Sequence, residues 1–258
     1  MSDAIYLDHN ATTGPLPEVV DAMLPFLRVR WGNPSSAHGR GRAAKEGVER
    51  ARAQVAALLG CAPHEVLFTS GGTEASNLAL RGVAEAHPSR RAFVTSVIEH
   101  PATLAPLRWL EEQGRRVTRV GVTTDGAVTA EAMDAAIDGD TALVSLMHAN
   151  NETGVVQPVA EVAARAHAKG ALVHVDAAQS VGKVRVDVDA LGADLLSVAG
   201  HKLYAPKGVG ALYVREATPL APFARGASHE RGLRPGTENV ASIVGLGVAS
   251  EVAARNLD

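Results

Sequence analysis

The stretch DLLSVAGHKLYAPKGVGALYV, residues 194 to 214, places one lysine between two apolar runs. Both runs have the length and composition of buried β-strands, and a loop of small and polar residues joins them. Lys202 therefore follows the end of a strand, with His201 beside it. A desolvated amine beside another cationic group has a lowered pKa and forms Schiff bases with aldehydes. The pattern indicates that Lys202 is a chemically distinct amine, whereas Lys207, in the following turn, is expected to remain in solvent.

Outward from this stretch, short β-branched runs alternate with alanine-rich runs of helical pattern from about residue 48 onward. Further strands are predicted at 65–70, 91–97, 115–122, 142–149 and 171–178, and helices at 73–87, 102–113 and 158–169. Strands that are apolar on both faces and separated by helices are typical of a mostly parallel sheet covered on both sides. The predicted fold class is α/β, with a mixed, mostly parallel sheet between helices.

The composition limits the classes of function. The 258 residues are 46% hydrophobic and 21% charged, with a net charge of −3, and neither half carries a basic block, so we expect no nucleic-acid partner and no anionic-membrane partner. We find no signal peptide and no apolar stretch approaching the ~18–20 residues that a membrane span needs. The single cysteine, Cys61, excludes an internal disulfide and fits a reducing compartment. The predicted location is the cytoplasm.

Polar residues follow several of the predicted strands. Gly71 and Gly72 permit a tight turn after the first strand, and Thr73 can cap the next helix, so this junction suits a phosphate or serves only as an ordinary capped turn. Asp176 ends an apolar strand, where it either pairs with a cationic group such as a cofactor pyridinium nitrogen or caps the following segment. His100 either stacks on a flat ring or moves protons, or else is a capping residue.

Residues 150–152, Asn-Asn-Glu, follow another strand end and are either site residues or turn formers. Taken singly, most of these features favour the structural alternative. Together, a phosphate turn, a ring-stacking histidine, an aspartate for a pyridinium and a Schiff-base lysine all follow strand ends, which favours a cofactor site. No residue is assigned to a metal site.

At this point the sequence resembles the class V aminotransferase family, and specifically its cysteine desulfurases of the NifS/IscS type. The matching motifs occur in family order from residue 6 to about residue 247 and read YLDHNATT, GNPSSAHGRG, FTSGGTEASNLA, IEHPA, NNETGVVQP, HVDAAQSVGK, GHKLYAPKGVGALYV and ERGLRPGTENV. The resemblance implies the fold of type I enzymes that use pyridoxal 5′-phosphate (PLP), and a homodimer.

The resemblance also assigns roles to residues. Lys202 would hold PLP as a Schiff base and later move protons, and His100 would stack on the ring; these two are the predicted catalytic residues. Asp176 would pair with the pyridine nitrogen, and Gln179 would hydrogen-bond the ring hydroxyl. The complete predicted cofactor set is Gly72, Thr73, His100, Asn151, Asp176, Gln179, His201, Lys202 and Thr237.

Within that set, Thr73 with its backbone and His201 would hold the phosphate, and Thr237 would reach the phosphate of the neighbouring subunit. Asn151 would lie close to the ring and the substrate. Asn33 and His38 belong to a motif near the entrance of the site. Ala199 stands where the family usually has a serine, which would remove one phosphate contact worth roughly 0.5–3 kcal/mol.

The implied activity converts L-cysteine to L-alanine and passes the sulfur to a protein cysteine as a persulfide, for iron–sulfur cluster or thio-cofactor synthesis, with a sulfur-acceptor or scaffold protein as partner. The family's cysteine loop and its carboxylate-binding arginine are expected beyond residue 258, so the chain is expected to be truncated. Alternatives are another class V PLP enzyme (a selenocysteine lyase or an aminotransferase) and a non-catalytic shortened paralogue that acts as a dimerisation or binding module.

The expected domain division is an N-terminal segment over 1–14, which belongs to a small domain, and a PLP-binding large domain over 15–246. Residues 247–258 would begin the connection to the rest of the small domain. We expect both ends to be poorly anchored because their packing partners would lie outside the chain.

Overall fold

A computed structural model describes residues 5–222 and 224–257. The helices are α1 Pro17–Arg28, α2 Gly39–Leu59, α3 Gly72–Ala86, α4 Pro101–Glu112, α5 Ala130–Ala136, α6 Val159–Ala168, α7 Val188–Leu191 and α8 Val240–Leu257. The strands are β1 Val66–Thr69, β2 Ala92–Ser96, β3 Arg116–Val120, β4 Thr141–Met147, β5 Leu172–Asp176, β6 Leu195–Ala199 and β7 Gly210–Val214. Short 3₁₀ turns cover Pro63–Glu65, Gly200–Lys202 and Glu230–Gly232.

The strands described here form one seven-stranded sheet in the order β1-β7-β6-β5-β4-β2-β3. The pairs among β2, β3, β4, β5 and β6 are parallel, whereas β7 is antiparallel to both of its neighbours. The loop between β6 and β7 is too short for a crossover, so the chain turns back beside β6. The predicted α/β class with a mixed, mostly parallel sheet is confirmed.

Helices cover both faces of the sheet. Successive side chains of a strand point to opposite sides, so the same strand contributes apolar residues to the clusters on both faces. Leu67 and Leu195 belong to the apolar cluster formed with α3 and α4. Phe68 and Leu196 belong to the larger cluster formed with α2, α5, α6 and α8. This double covering explains why the central strands read as continuous apolar runs rather than as alternating ones.

The carboxyl ends of β1, β2, β4, β5 and β6 meet at one edge of the sheet, because these strands run in the same direction. The segments that leave this edge carry the residues predicted for the cofactor, with the exception of Thr237. Strand direction alone therefore brings together residues that are up to 130 positions apart, from Gly72 to Lys202.

Helix α8 is a core helix of this fold. It packs along α1 and α2, and its buried residues extend from Ala241 to Ala253, so the expectation of a poorly anchored C-terminal end is wrong for α8. By length and composition alone, with a mean hydropathy of 1.2, α8 is apolar enough to cross a membrane, which the sequence analysis did not anticipate. In this fold 56% of the helix is buried inside the protein, which is typical of a core helix. The predicted boundary at 246/247 falls within α8, and the domain division itself remains a prediction.

The described part of the N-terminal segment is tied to the loop that carries Lys202. Thr13 is buried, and both its backbone N–H and its hydroxyl donate to the carbonyl oxygen of His201 at 2.9 Å. The Thr13 hydroxyl also accepts from the backbone N–H of Tyr204 at 2.9 Å. Residues 1–4 lie outside the described residues. The expectation of a loose N-terminal end is contradicted from Asn10 onward, since Asn10 and Thr12 also contact the loops after β5 and β6.

A buried ion pair fastens the loop before α8 to the sheet and gives a first prediction. The Glu230 carboxylate accepts two bonds from the Arg52 guanidinium, at 2.7 and 2.9 Å, and one from the backbone N–H of Phe68 at 2.8 Å. We expect Glu230→Ala to lower the free energy of unfolding by about 3–5 kcal/mol, since it leaves the largely buried Arg52 guanidinium with only the half-exposed Glu49 as an anionic partner. Chemical denaturation measures the change.

The control is Glu49→Ala. Glu49 contacts the same guanidinium at 3.3 Å, but its side chain is 52% exposed, so its loss should cost under about 1 kcal/mol. Equal destabilisation by the two substitutions would contradict the assignment of Glu230 as the buried anchor.

Candidate functional site

A cavity of about 200 Å³ opens at the carboxyl edge of the sheet. Its wall contains eight of the nine residues predicted for the cofactor, namely Gly72, Thr73, His100, Asn151, Asp176, Gln179, His201 and Lys202. Ala11, Ala102, Met147, Ala149, Ala178 and Ala199 complete the wall. Polar side chains from five separate loops thus face one space.

Three residues named from the sequence lie outside this wall. Thr237 is exposed in the loop before α8. The Asn33 side chain accepts from the backbone N–H of Ser35 at 2.9 Å, and His38 caps α2 by accepting from the N–H of Gly41 at 3.3 Å. The roles of these three residues in a site remain predictions.

The turn between β1 and α3 presents backbone donors to the cavity. Gly71, with φ of +150°, is the N-cap of α3, so the helix begins at Gly72 and Thr73 is not its cap. A Cβ atom at Gly72 would lie 3.2 Å from the Cβ of Ala199, which shows how closely this turn approaches β6. Amides in the first turn of a helix have no partner within the helix and favour an anion.

A charged pair lies behind the same turn. Glu74 accepts from the backbone N–H of Ser70 at 2.7 Å and from the Arg234 guanidinium at 2.8 Å. Burial opposes ionisation of Glu74, but the bonds from Arg234 and Ser70 outweigh it and lower the pKa of the carboxyl. The exposed Lys207 lines an adjoining cavity together with Gly71 and Thr73, so a second cation lies on the side of the predicted phosphate.

Asp176 is the buried carboxylate at the end of β5. It is 6% exposed, and its Oδ1 accepts from the backbone N–H of Ala178 at 3.0 Å. Burial raises the pKa of the Asp176 carboxyl, while the Ala178 bond and the charges of His100 and Lys202 act in the opposite direction. The side chain stabilises its local turn and also faces the cavity, where a cation would relieve its desolvation.

Lys202 lies in the 3₁₀ turn after β6, and its ammonium group donates to the backbone carbonyl of Asn10. Burial lowers the pKa of the Lys202 amine, against the opposing charges of Asp176 and Asp8. Burial, followed by the charges of Lys202 and Lys207, also lowers the pKa of His201, whose Nδ1 lies 3.1 Å from the Thr12 hydroxyl. The loop therefore holds an amine and an imidazole that are both biased towards their neutral forms.

His100 and Asn151 face the cavity from the loops after β2 and β4. Nδ1 of His100 accepts from the backbone N–H of Ala102 at 3.1 Å, so His100 is both the N-cap of α4 and a wall residue. The neighbouring Asn150 forms the turn, because its Oδ1 accepts from the N–H groups of Glu152 and Thr153 at 2.9 and 3.0 Å. Asn150 is thus the turn former of this pair, and Asn151 is the residue of the cavity.

No role was predicted for Asn10, which lies in the N-terminal segment and contacts the loops around the cavity. The carbonyl oxygen of Asn10 accepts from Lys202 and from Nε2 of Gln179, the latter at 3.0 Å, and the Asn10 amide donates to the Asn151 carbonyl at 3.4 Å. Asn10 belongs to the motif YLDHNATT, which carried the resemblance, but no local pattern in that motif predicts contacts with residues 141 to 192 positions away.

Comparisons with known proteins find chains of similar sequence and similar fold. A cysteine desulfurase of Cereibacter sphaeroides is 51% identical over 253 residues, which is 97% of this chain and 65% of the relative. A solved structure titled "NIFS-like protein" superposes with a TM-score of 0.96 at 43% identity, over 98% of this chain and 70% of that chain. Another, titled "SspA in complex with cysteine", has a TM-score of 0.94 at 39% identity, over 96% and 72% of the two chains.

The match extends over nearly all of this chain but not over all of its relatives. The chain spans 62–66% of the length of the curated relatives that it matches. The family model for aminotransferase class V matches residues 5–257. With the fold, the cavity and these matches in agreement, the chain belongs to the class V aminotransferase family.

Proposed function

We propose that this chain forms the PLP site of a cysteine desulfurase, which converts L-cysteine to L-alanine and transfers the sulfur to a protein thiol. The observation that carries the proposal is the shared cavity of Asp176, Lys202 and the first turn of α3. Relatives named cysteine desulfurase, and the similar structure titled "SspA in complex with cysteine", support this choice of substrate.

The residues of the cavity fit PLP. The Asp176 carboxylate is buried with a raised pKa, and a protonated pyridine nitrogen is a cation of the right kind to stabilise its charged form. Thr73, His201 and the free amides at the start of α3 would hold the phosphate. Gln179 would donate to the ring oxygen, and His100 would lie against the ring face.

Lys202 is the residue that would join the cofactor aldehyde and move protons. Because burial lowers the pKa of its amine, more of the amine is neutral and nucleophilic at a given pH than for an ordinary lysine. When bound, PLP would supply an electron sink next to the substrate α-carbon. Once the substrate amine takes its place on the cofactor, Nζ of Lys202 would take a proton from the α-carbon and help to deliver a proton to the β-carbon that loses its sulfur. Asn151 would position the amino acid at the cavity wall.

The sulfur transfer requires a thiol besides that of the substrate. The bond between the β-carbon and the sulfur of cysteine breaks, and an S–S bond forms between that sulfur and the acceptor thiolate. The β-carbon gains a proton, so that one cysteine and one thiol become alanine and a persulfide. Cys61 does not suit this role. It is not among the described residues that line the cavity, and burial, followed by the charges of Glu65 and Asp189, raises the pKa of its thiol to about 12.

The assembly and setting belong to the same proposal. The resemblance implies a homodimer in which Thr237 reaches the phosphate of the partner's site. Thr237 is exposed and lies outside the cavity of its own chain, which is compatible with that role. The sulfur acceptor is a protein with a reactive cysteine, for iron–sulfur cluster or thio-cofactor synthesis. A single cysteine in 258 residues fits work in the reducing cytoplasm.

The first prediction from the proposed function concerns the lysine that would hold the cofactor. Added PLP should give the purified 258-residue chain a visible Schiff-base band, and Lys202→Ala should abolish it because no other amine is placed in the cavity wall among the described residues. Absorbance titration with PLP measures the band. Lys45→Ala, on the exposed face of α2, is the matched control and should keep it. A band of equal size in Lys202→Ala would contradict the assignment.

A second prediction concerns pH. The lowered pKa of Lys202 means that its reaction with a small acylating reagent should reach half of its maximal rate below pH 10.5, the reference value for lysine. Asp176→Asn should move the profile to still lower pH, because the Asp176 charge raises the pKa of Lys202. Competitive acetylation followed by peptide mass mapping gives the profile. A midpoint at or above 10.5, or a shift to higher pH in the variant, would overturn this account.

A third prediction concerns Cys61. Cys61→Ala should leave alanine formation from L-cysteine, with dithiothreitol as the acceptor thiol, within about twofold of the wild-type rate, because Cys61 takes no part in the chemistry. Amino-acid analysis measures the product, and Lys202→Ala provides the inactive reference. A loss of more than tenfold in Cys61→Ala, with an unchanged PLP band, would show that Cys61 is the acceptor.

A further inference from the structure

We infer that Lys183 is a positioning residue for the cofactor site, because its ammonium group holds the Gln179 carbonyl oxygen and thereby leaves one N–H of the Gln179 amide to face the ring oxygen. The inference rests on the proposed PLP site. It adds a residue that is not among the described residues lining the cavity and that acts through its neighbour.

Gln179, Lys183 and Asn10 are each hydrogen-bonded to the other two. Nζ of Lys183 donates to Oε1 of Gln179 at 2.6 Å and to Oδ1 of Asn10 at 3.4 Å. Nε2 of Gln179 donates to the backbone carbonyl of Asn10 at 3.0 Å, and Gln179 itself lines the cavity. One end of the glutamine amide therefore faces an ammonium group, and the other faces a carbonyl oxygen.

These partners select one orientation of the amide. A glutamine side chain has an acceptor end and a donor end of nearly equal shape, so it can be reversed at little steric cost. An ammonium group only donates and a backbone carbonyl only accepts, so Lys183 and Asn10 favour the same orientation. That orientation leaves the second N–H of Gln179 for an anionic ring oxygen, whereas the reversed amide would direct its own oxygen at that anion.

The fold fixes Lys183 in this place. The turn after β5 places Lys183 four residues beyond Gln179, and the backbone N–H of Lys183 donates to the Ser180 carbonyl at 3.0 Å. Gly182 has φ of +77°, and a Cβ atom there would lie 2.0 Å from Cδ1 of Leu203. The turn therefore packs directly against the residue that follows Lys202.

The test uses release of PLP from the loaded 258-residue chain, measured by loss of the visible band in the presence of an excess aldehyde trap. Lys183→Met should release PLP about threefold to tenfold faster, because the amide of Gln179 loses its orienting donor. Lys183→Arg, which also only donates, should stay within twofold of wild type. Lys45→Met controls for the loss of a surface charge.

A double-substitution cycle separates this role from a direct effect of the Lys183 charge on Lys202. In a Gln179→Ala background, Lys183→Met should change the release rate by less than twofold. An unchanged rate in Lys183→Met alone, or an equal acceleration in both backgrounds, would overturn the inference while leaving the proposed site intact. A wild-type chain without a Lys202-dependent band would overturn the proposed site, and this inference with it.

Discussion

The site depends on one electrostatic constraint, the burial of the Asp176 carboxylate at the centre of the sheet edge. Taking a carboxylate out of water is costly unless a cation or several donors face it, and Asp176 receives one local backbone bond. Lys202 lies in the same cavity wall, and the pyridinium of the proposed cofactor would complete the surroundings of Asp176. The charge of Asp176 in turn raises the pKa of the amine that burial lowers, so the two groups set each other's protonation.

The fold supplies this constraint through strand direction. Parallel strands end at the same edge, so the turn of α3, the caps of α4 and the loops after β4, β5 and β6 converge without any one loop having to be long. The N-terminal segment then crosses the cavity, where Asn10 contacts residues from three of these loops. Rigid elements thus position the side chains, and close packing at Gly72 and Gly182 fixes the distances between the loops.

Much of this was predictable from the sequence, and the failures have physical causes. The apolar runs around Lys202 and Asp176 predicted strands because buried parallel strands need apolar side chains on both faces. The contacts of Asn10 with Gln179, Lys183 and Lys202 were not predicted, since they join segments far apart in the chain and depend on which loops meet. The bond between Lys183 and Gln179 spans only four residues, but it depends on the conformation of the turn after β5. Thr73 was misread as a helix cap because Gly71, without a side chain, fills that position. The firm anchoring of helix α8 was not predicted, because its packing partners, α1 and α2, lie at the opposite end of the sequence.

The central claim is that Lys202, rather than any of the other four lysines, is the amine that binds the cofactor. Reduction of the PLP-loaded chain with borohydride, followed by peptide mass mapping, identifies the labelled lysine directly. The account predicts that the pyridoxyl group is found on the peptide that contains Lys202, in a ratio of about one per chain. A label on Lys183 or Lys207, or one spread over several lysines, would contradict it.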